Sequence, residues 1–159
     1  MRRLSTGRVS LGLVASCLAW AAGPVLAADG TSSIHIRFAS GAGRPPGAAA
    51  SALAAWAYPE ALHCWRVLDE RRGRCDIVVS SYSDSLGTVP HDLRLCGRRA
   101  YAVVGLLQQS GISLSWVHSI IVGPHAFAIP PSECSGSLSS RRKCEAPNRR
   151  VVVSVRILP

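Results

Sequence analysis

The chain has 159 residues, 48% of them apolar, with 18 Lys and Arg against nine Asp and Glu for a formal charge of +9. That length holds one ordinary domain, and the apolar share excludes a disordered chain. The basic balance fits an anionic partner such as a cell wall or membrane surface. It is no signature of nucleic-acid binding, because the arginines are scattered and few aromatics accompany them.

Residues 1–8 carry Arg2, Arg3 and Arg8 and no acid. An apolar run follows over residues 9–22, then Gly23-Pro24 and Val25-Leu26-Ala27. A basic start, an apolar middle and small residues at a cut are the layout of a bacterial secretory signal, with cleavage after Ala27. The run is shorter than the ~20 apolar residues of a spanning helix. Leu13-Val14-Ala15-Ser16-Cys17 also matches a lipoprotein cleavage box, in which Cys17 is lipidated and the protein is tethered to a membrane. The apolar run continues past Cys17 through Leu18, Ala19 and Trp20, which argues against that exit. Removing residues 1–27 leaves a charge of about +6 and five cysteines, in a periplasmic compartment where thiols pair. No CxxC pattern or Cys/His cluster at zinc spacing occurs, so these cysteines read as staples or buried thiols.

After a short linker at residues 28–33, residues 34–38 alternate apolar and polar and predict a half-buried strand. Residues 47–57 are Ala-rich and helical, and Pro59 is expected to end or kink that helix. The charged residues 69–74 contain Gly73 and read as a turn. Asp76-Ile77-Val78-Val79 reads as a buried central strand, and residues 80–92, with Gly87 and Pro90, as a loop. From Leu93 to Gln109 the apolar positions Leu95, Ala100, Val103, Val104 and Leu107 recur at helical spacing, with Gly111 where a C-terminal cap belongs. Residues 117–122 and 150–157 are the last two strands, separated by a loop holding Pro130-Pro131 and two cysteines. The order strand, helix, strand, helix, strand, strand is that of an α/β two-layer sandwich over residues 34–157.

From Tyr82-Ser83-Asp84 through Gly87 to Leu95-Cys96-Gly97-Arg98-Arg99-Ala100, the sequence resembles the OmpA-like peptidoglycan-binding domain. That family carries Thr-Asp after its central strand, Gly three residues on, and Asn-x-x-Leu-Ser-x-x-Arg-Ala at the opening of a helix. Asp84, Gly87, Arg99 and Ala100 stand at the corresponding places. Gly111-Ile112 matches the end of the same helix, and Asn148-Arg149-Arg150-Val151 matches the entry to the last strand. The likeness spans roughly residues 34–156 and is weak before Asp76. It implies a β-α-β-α-β-β domain with two helices on one sheet face, and non-covalent binding of peptidoglycan through the diaminopimelate of its stem peptide. In that role Arg99 forks onto a carboxylate and Asp84 takes the ammonium, with Arg149 a second anion contact. Cys134 and Cys144 fall where some members place a disulfide loop. Cys64 and Cys75 flank the charged turn and are candidates for a second bridge.

Four positions depart from the family pattern: Ser81 replaces a glycine, Ser83 the threonine, Asp92 the asparagine and Cys96 the serine. Ser83 keeps the hydroxyl. Asp92 sets a carboxylate where the ligand's own carboxylate belongs, and ionised it weakens binding unless it meets the ammonium instead. Cys96 reads as a buried thiol. Apart from the family pattern, Asp84 and Arg99 read simply as a salt bridge between loop and helix. Two rival functions follow. One is a periplasmic adaptor of the same fold that has lost wall binding and contacts other envelope proteins. The other is a hydrolase drawing on His91, Asp92, Ser83 or Cys96, which lacks Gly-x-Ser-x-Gly or any other nucleophile signature. The five histidines show no ligand spacing, so no metal, cofactor or catalysis is expected.

Overall fold

The computed structural model describes residues 32–159. The secretory-signal and Cys17 readings lie outside the described residues. Four strands form one sheet: β1 (Ser32–Arg37), β2 (Arg74–Tyr82), β3 (Val117–Gly123) and β4 (Arg150–Leu158). Their spatial order is β1-β4-β2-β3, so the last strand enters between the first two. β4 runs antiparallel to both neighbours, with Ile36 opposite Val151 and Val79 opposite Val153. β2 and β3 are parallel, and the connection between them is the long helix α2 (Val89–Gln109), as parallel pairing requires.

The alternation along the strands decides which face is covered. Cys75, Ile77, Val79 and Ser81 of β2 point inward with Val151, Val153 and Val155 of β4 and Ile36 of β1. Against these pack Leu53, Trp56, Ala57, Ala61 and Cys64 of α1 (Gly47–Asp69) and Ala100, Val103 and Leu107 of α2, in one continuous core. The result is the expected two-layer sandwich with both helices on one face. Among the described residues, no helix is long and apolar enough to cross a membrane.

Pro59 neither ends nor replaces the helix around it; α1 runs on for ten residues beyond it. The buried positions 53, 56, 57, 61, 64 and 67 keep one helical stripe across the proline. Pro59 itself lies on the exposed side, where the carbonyl it displaces can tilt toward water. Packing overrides the local signal. Helix α2 likewise begins four residues before the apolar repeat, at Val89, with Pro90 in its first turn where a missing N–H costs nothing.

Cys64 and Cys75 are bridged, fastening the end of α1 to the start of β2 across the charged turn. In that turn Gly73 has φ 150°, and a Cβ there would run into the carbonyl of Leu158, so the close approach of β4 demands glycine. Cys134 and Cys144 form the second bridge, around the short helix α3 (Leu138–Cys144). Cys96 is the free thiol among the described cysteines, and it is buried.

Candidate functional site

The C-terminal end of β2 and the N-terminal turn of α2 meet the segment before β4, and the charged residues gather there. The loop after β2 is held at two points. Ser83 N–H donates to the Gly123 carbonyl at 3.1 Å. The Ser85 N–H and hydroxyl donate to the two oxygens of Glu145, at 2.7 and 3.0 Å. Glu145 is fully buried and has Arg141 as a longer-range cation at 3.8 Å. Sequence reasoning missed Glu145; its only signal is a lone acid in an Arg-rich stretch. The loop so held turns Asp84 inward.

Asp84 is paired with Arg149, not with Arg99: Arg149 Nη1 donates to Asp84 Oδ2 at 2.9 Å, with both side chains largely buried. This corrects the reading of Asp84 and Arg99 as a loop-to-helix salt bridge. The same Nη1 donates to the Arg142 carbonyl at 3.0 Å, and Arg149 Nε to the Phe38 carbonyl at 3.4 Å. Asn148, one residue earlier, accepts from Ala128 and Ile129 N–H and donates back to the Ile129 carbonyl, pinning the loop after β3.

Arg99 is fully buried on the inward stripe of α2. Its Nε donates to the Ala42 carbonyl at 2.9 Å, Nη1 to Tyr82 at 3.2 Å and Nη2 to Ala39 at 3.3 Å, and the guanidinium lies 5.0 Å from the Phe38 ring centre. Burial lowers its pKa below the ordinary value, with nearby Cys96, Asp84 and Asp92 opposing that shift and Arg149 adding to it. A guanidinium has five N–H groups, so one on each terminal nitrogen of Arg99 is left over. Arg149 Nη2 likewise has no hydrogen-bond partner among the described residues.

Asp92, in the first turn of α2, is buried, and a carboxylate there suits the positive end of the helix. Its Oδ1 lies 3.2 Å from His91 Nδ1, and its Oδ2 is buried without a partner among the described residues. Gly87 covers this carboxylate; a Cβ there would sit 2.7 Å from Oδ2. Ser83 is also buried, and its hydroxyl has no partner among the described residues.

Asp84, Asp92, Arg99 and Arg149 line one cleft of about 150 Å³, together with Gly87, His91 and Arg142. Ser83 lies just behind it and does not line it. A wider groove of about 770 Å³ runs along the outer side of α2 past Gly97, Tyr101 and Gly105, and shares no lining residue with the cleft. Among the described residues, no three His, Cys, Asp or Glu side chains stand close enough to hold a metal ion. Chemically the cleft offers Asp84 Oδ1 and the negative charge of the buried Asp92 beside unspent guanidinium N–H groups. That set suits a ligand carrying both a cationic and an anionic or carbonyl group.

No family model and no curated protein matches this sequence. Solved structures do match its fold. The peptidoglycan-associated lipoprotein from Burkholderia pseudomallei aligns at 16% identity and a TM-score of 0.58, over 77% of this chain and 89% of that one. The OmpA-like domain of FopA1 from Francisella tularensis aligns at 18% identity and a TM-score of 0.54, over 86% and 80%. A periplasmic domain of Helicobacter pylori MotB aligns at 16% identity and a TM-score of 0.55, over 81% and 78%. The arrangement of β1-β4-β2-β3 under two helices is therefore the OmpA-like fold.

Proposed function

We propose that this domain binds peptidoglycan without covalent chemistry, gripping the diaminopimelate of the stem peptide in the cleft at the end of β2, and that it works in the periplasm as a wall anchor. The observation that carries this reading is the convergence of Asp84, Asp92, Arg99 and Arg149 on one small cleft from three separate segments. Asp84 Oδ1 is the acceptor for the ligand's ammonium. Arg99 and Arg149, which line the cleft and keep spare N–H groups, are the donors for its carboxyl end. The OmpA-like fold of the peptidoglycan-associated lipoprotein, shared here at low identity, supports the same assignment. No bond is made or broken in such binding, so the cleft needs no nucleophile and no general base. The positive charge that remains without residues 1–27, about +6, favours approach to an anionic wall.

The test is co-sedimentation of the purified protein with isolated sacculi, beside Asp84→Asn, which keeps the acceptor for Arg149 and removes the charge. The wild type is expected to pellet, and Asp84→Asn to lose at least about tenfold in affinity. A folded wild type that stays in the supernatant would favour the second reading, an adaptor of the same fold. The groove beside Tyr101, which is 81% exposed, is the observation on that side.

A further inference from the structure

The charges of the cleft are balanced in a way that disfavours a second carboxylate. Asp84 is neutralised by Arg149 at 2.9 Å. Arg99 supplies one further positive charge, but its three nitrogens already point at the carbonyls of Ala39, Ala42 and Tyr82. Arg142 reaches the cleft from an exposed position, where solvent screens it. Opposite stands Asp92, 3% exposed, with Oδ2 buried and unpartnered among the described residues and Oδ1 meeting only His91. A buried acceptor without a donor is costly and calls for one.

An asparagine at this place would present an NH₂ group to a ligand carboxylate; a carboxylate presents acceptors only. Asp92 and a ligand carboxylate would then repel one another across a partly dehydrated cleft. A neutral carboxamide removes that repulsion. Its N–H dipole is favoured by the Asp92 charge, and its carbonyl still accepts from the spare N–H groups of Arg99 and Arg149. Gly87 packs over both carboxylate oxygens, so Asp92 acts on a ligand in the cleft through its charge.

We infer that Asp92 makes this cleft selective for diaminopimelate whose side-chain carboxylate is amidated, over the free acid. The inference rests on the peptidoglycan reading above and narrows its ligand. It is tested by calorimetric titration of the wild-type protein and Asp92→Asn with two synthetic stem peptides, identical except for an amide or a free acid on the diaminopimelate side chain. Circular dichroism verifies that both proteins are folded. The wild type is expected to bind the amide about tenfold more tightly than the acid, and Asp92→Asn to lose or reverse that preference. Equal affinities in the wild type, or a preference for the acid, would overturn the inference and leave the peptidoglycan reading standing. A preference for the amide that survives in Asp92→Asn would overturn the role of Asp92. Failure of both folded proteins to bind either peptide would overturn the peptidoglycan reading itself, and the inference with it.

Discussion

The two ends of the sheet are built on opposite principles. At the end where α1 closes and β2 begins, the interior is Ile77, Val155 and the aliphatic side of α1, stapled by Cys64–Cys75 and flanked by Trp116 with Trp65 packed edge-on against it. Among the described residues the one buried polar side chain there, Ser32, simply accepts from the Trp56 indole N–H. At the other end five charged residues are buried together: Asp84, Asp92, Arg99, Glu145 and Arg149. Desolvating charges costs several kcal/mol each before pairing offsets it, and a buried pair often does no better than an apolar one of the same shape. On stability alone, then, the polar end is the poorer solution. Under the proposed function its arrangement is preparation for a ligand, with the anchoring bonds already spent on backbone carbonyls.

The largest effect that separates the two ends is expected from Arg99→Met. It removes the guanidinium bonds to the carbonyls of Ala39, Ala42 and Tyr82, of which Ala39 keeps the Ala42 N–H, and removes a buried cation near Asp84 and Asp92. A loss of about 3–5 kcal/mol in chemical denaturation is expected, together with loss of wall binding. A loss under ~1 kcal/mol would mean that the polar end does not depend on this anchor. A smaller change is expected at the apolar end. Replacing Cys64 and Cys75 together by alanine removes a short covalent loop and should cost about 2–4 kcal/mol, while sacculus binding stays as in the wild type. Binding that fell along with stability would show that the two ends are mechanically coupled.

The order of elements was readable because it is written locally. The β-branched run at Ile77-Val78-Val79 and the helical recurrence of Leu95, Ala100, Val103 and Leu107 each announce one element. Pro59 misled because a proline's cost depends on which side of the helix it occupies, and that is known only once the packing is. Asp84, Arg99 and Arg149 stood out through the family pattern, and they do converge on one cleft. Their partners did not stand out. Arg99 is held by main-chain carbonyls, which leave no mark in a sequence, and Asp84 finds Arg149 across 65 residues. Glu145 holds the Ser85 loop across 60, as one acid in a basic stretch with nothing local to single it out. Polar networks closed over such separations are set by the fold, not by the neighbours of each residue.

The most direct test of the central claim is amide hydrogen exchange of the protein with and without muropeptides released from diaminopimelate-type peptidoglycan. Ligand seated in the cleft is expected to slow exchange in the loop after β2, the first turns of α2 and the segment before β4, leaving the α1–β2 turn unchanged. Saturating muropeptide with no change at those segments, or protection confined to the groove around Tyr101, would contradict it.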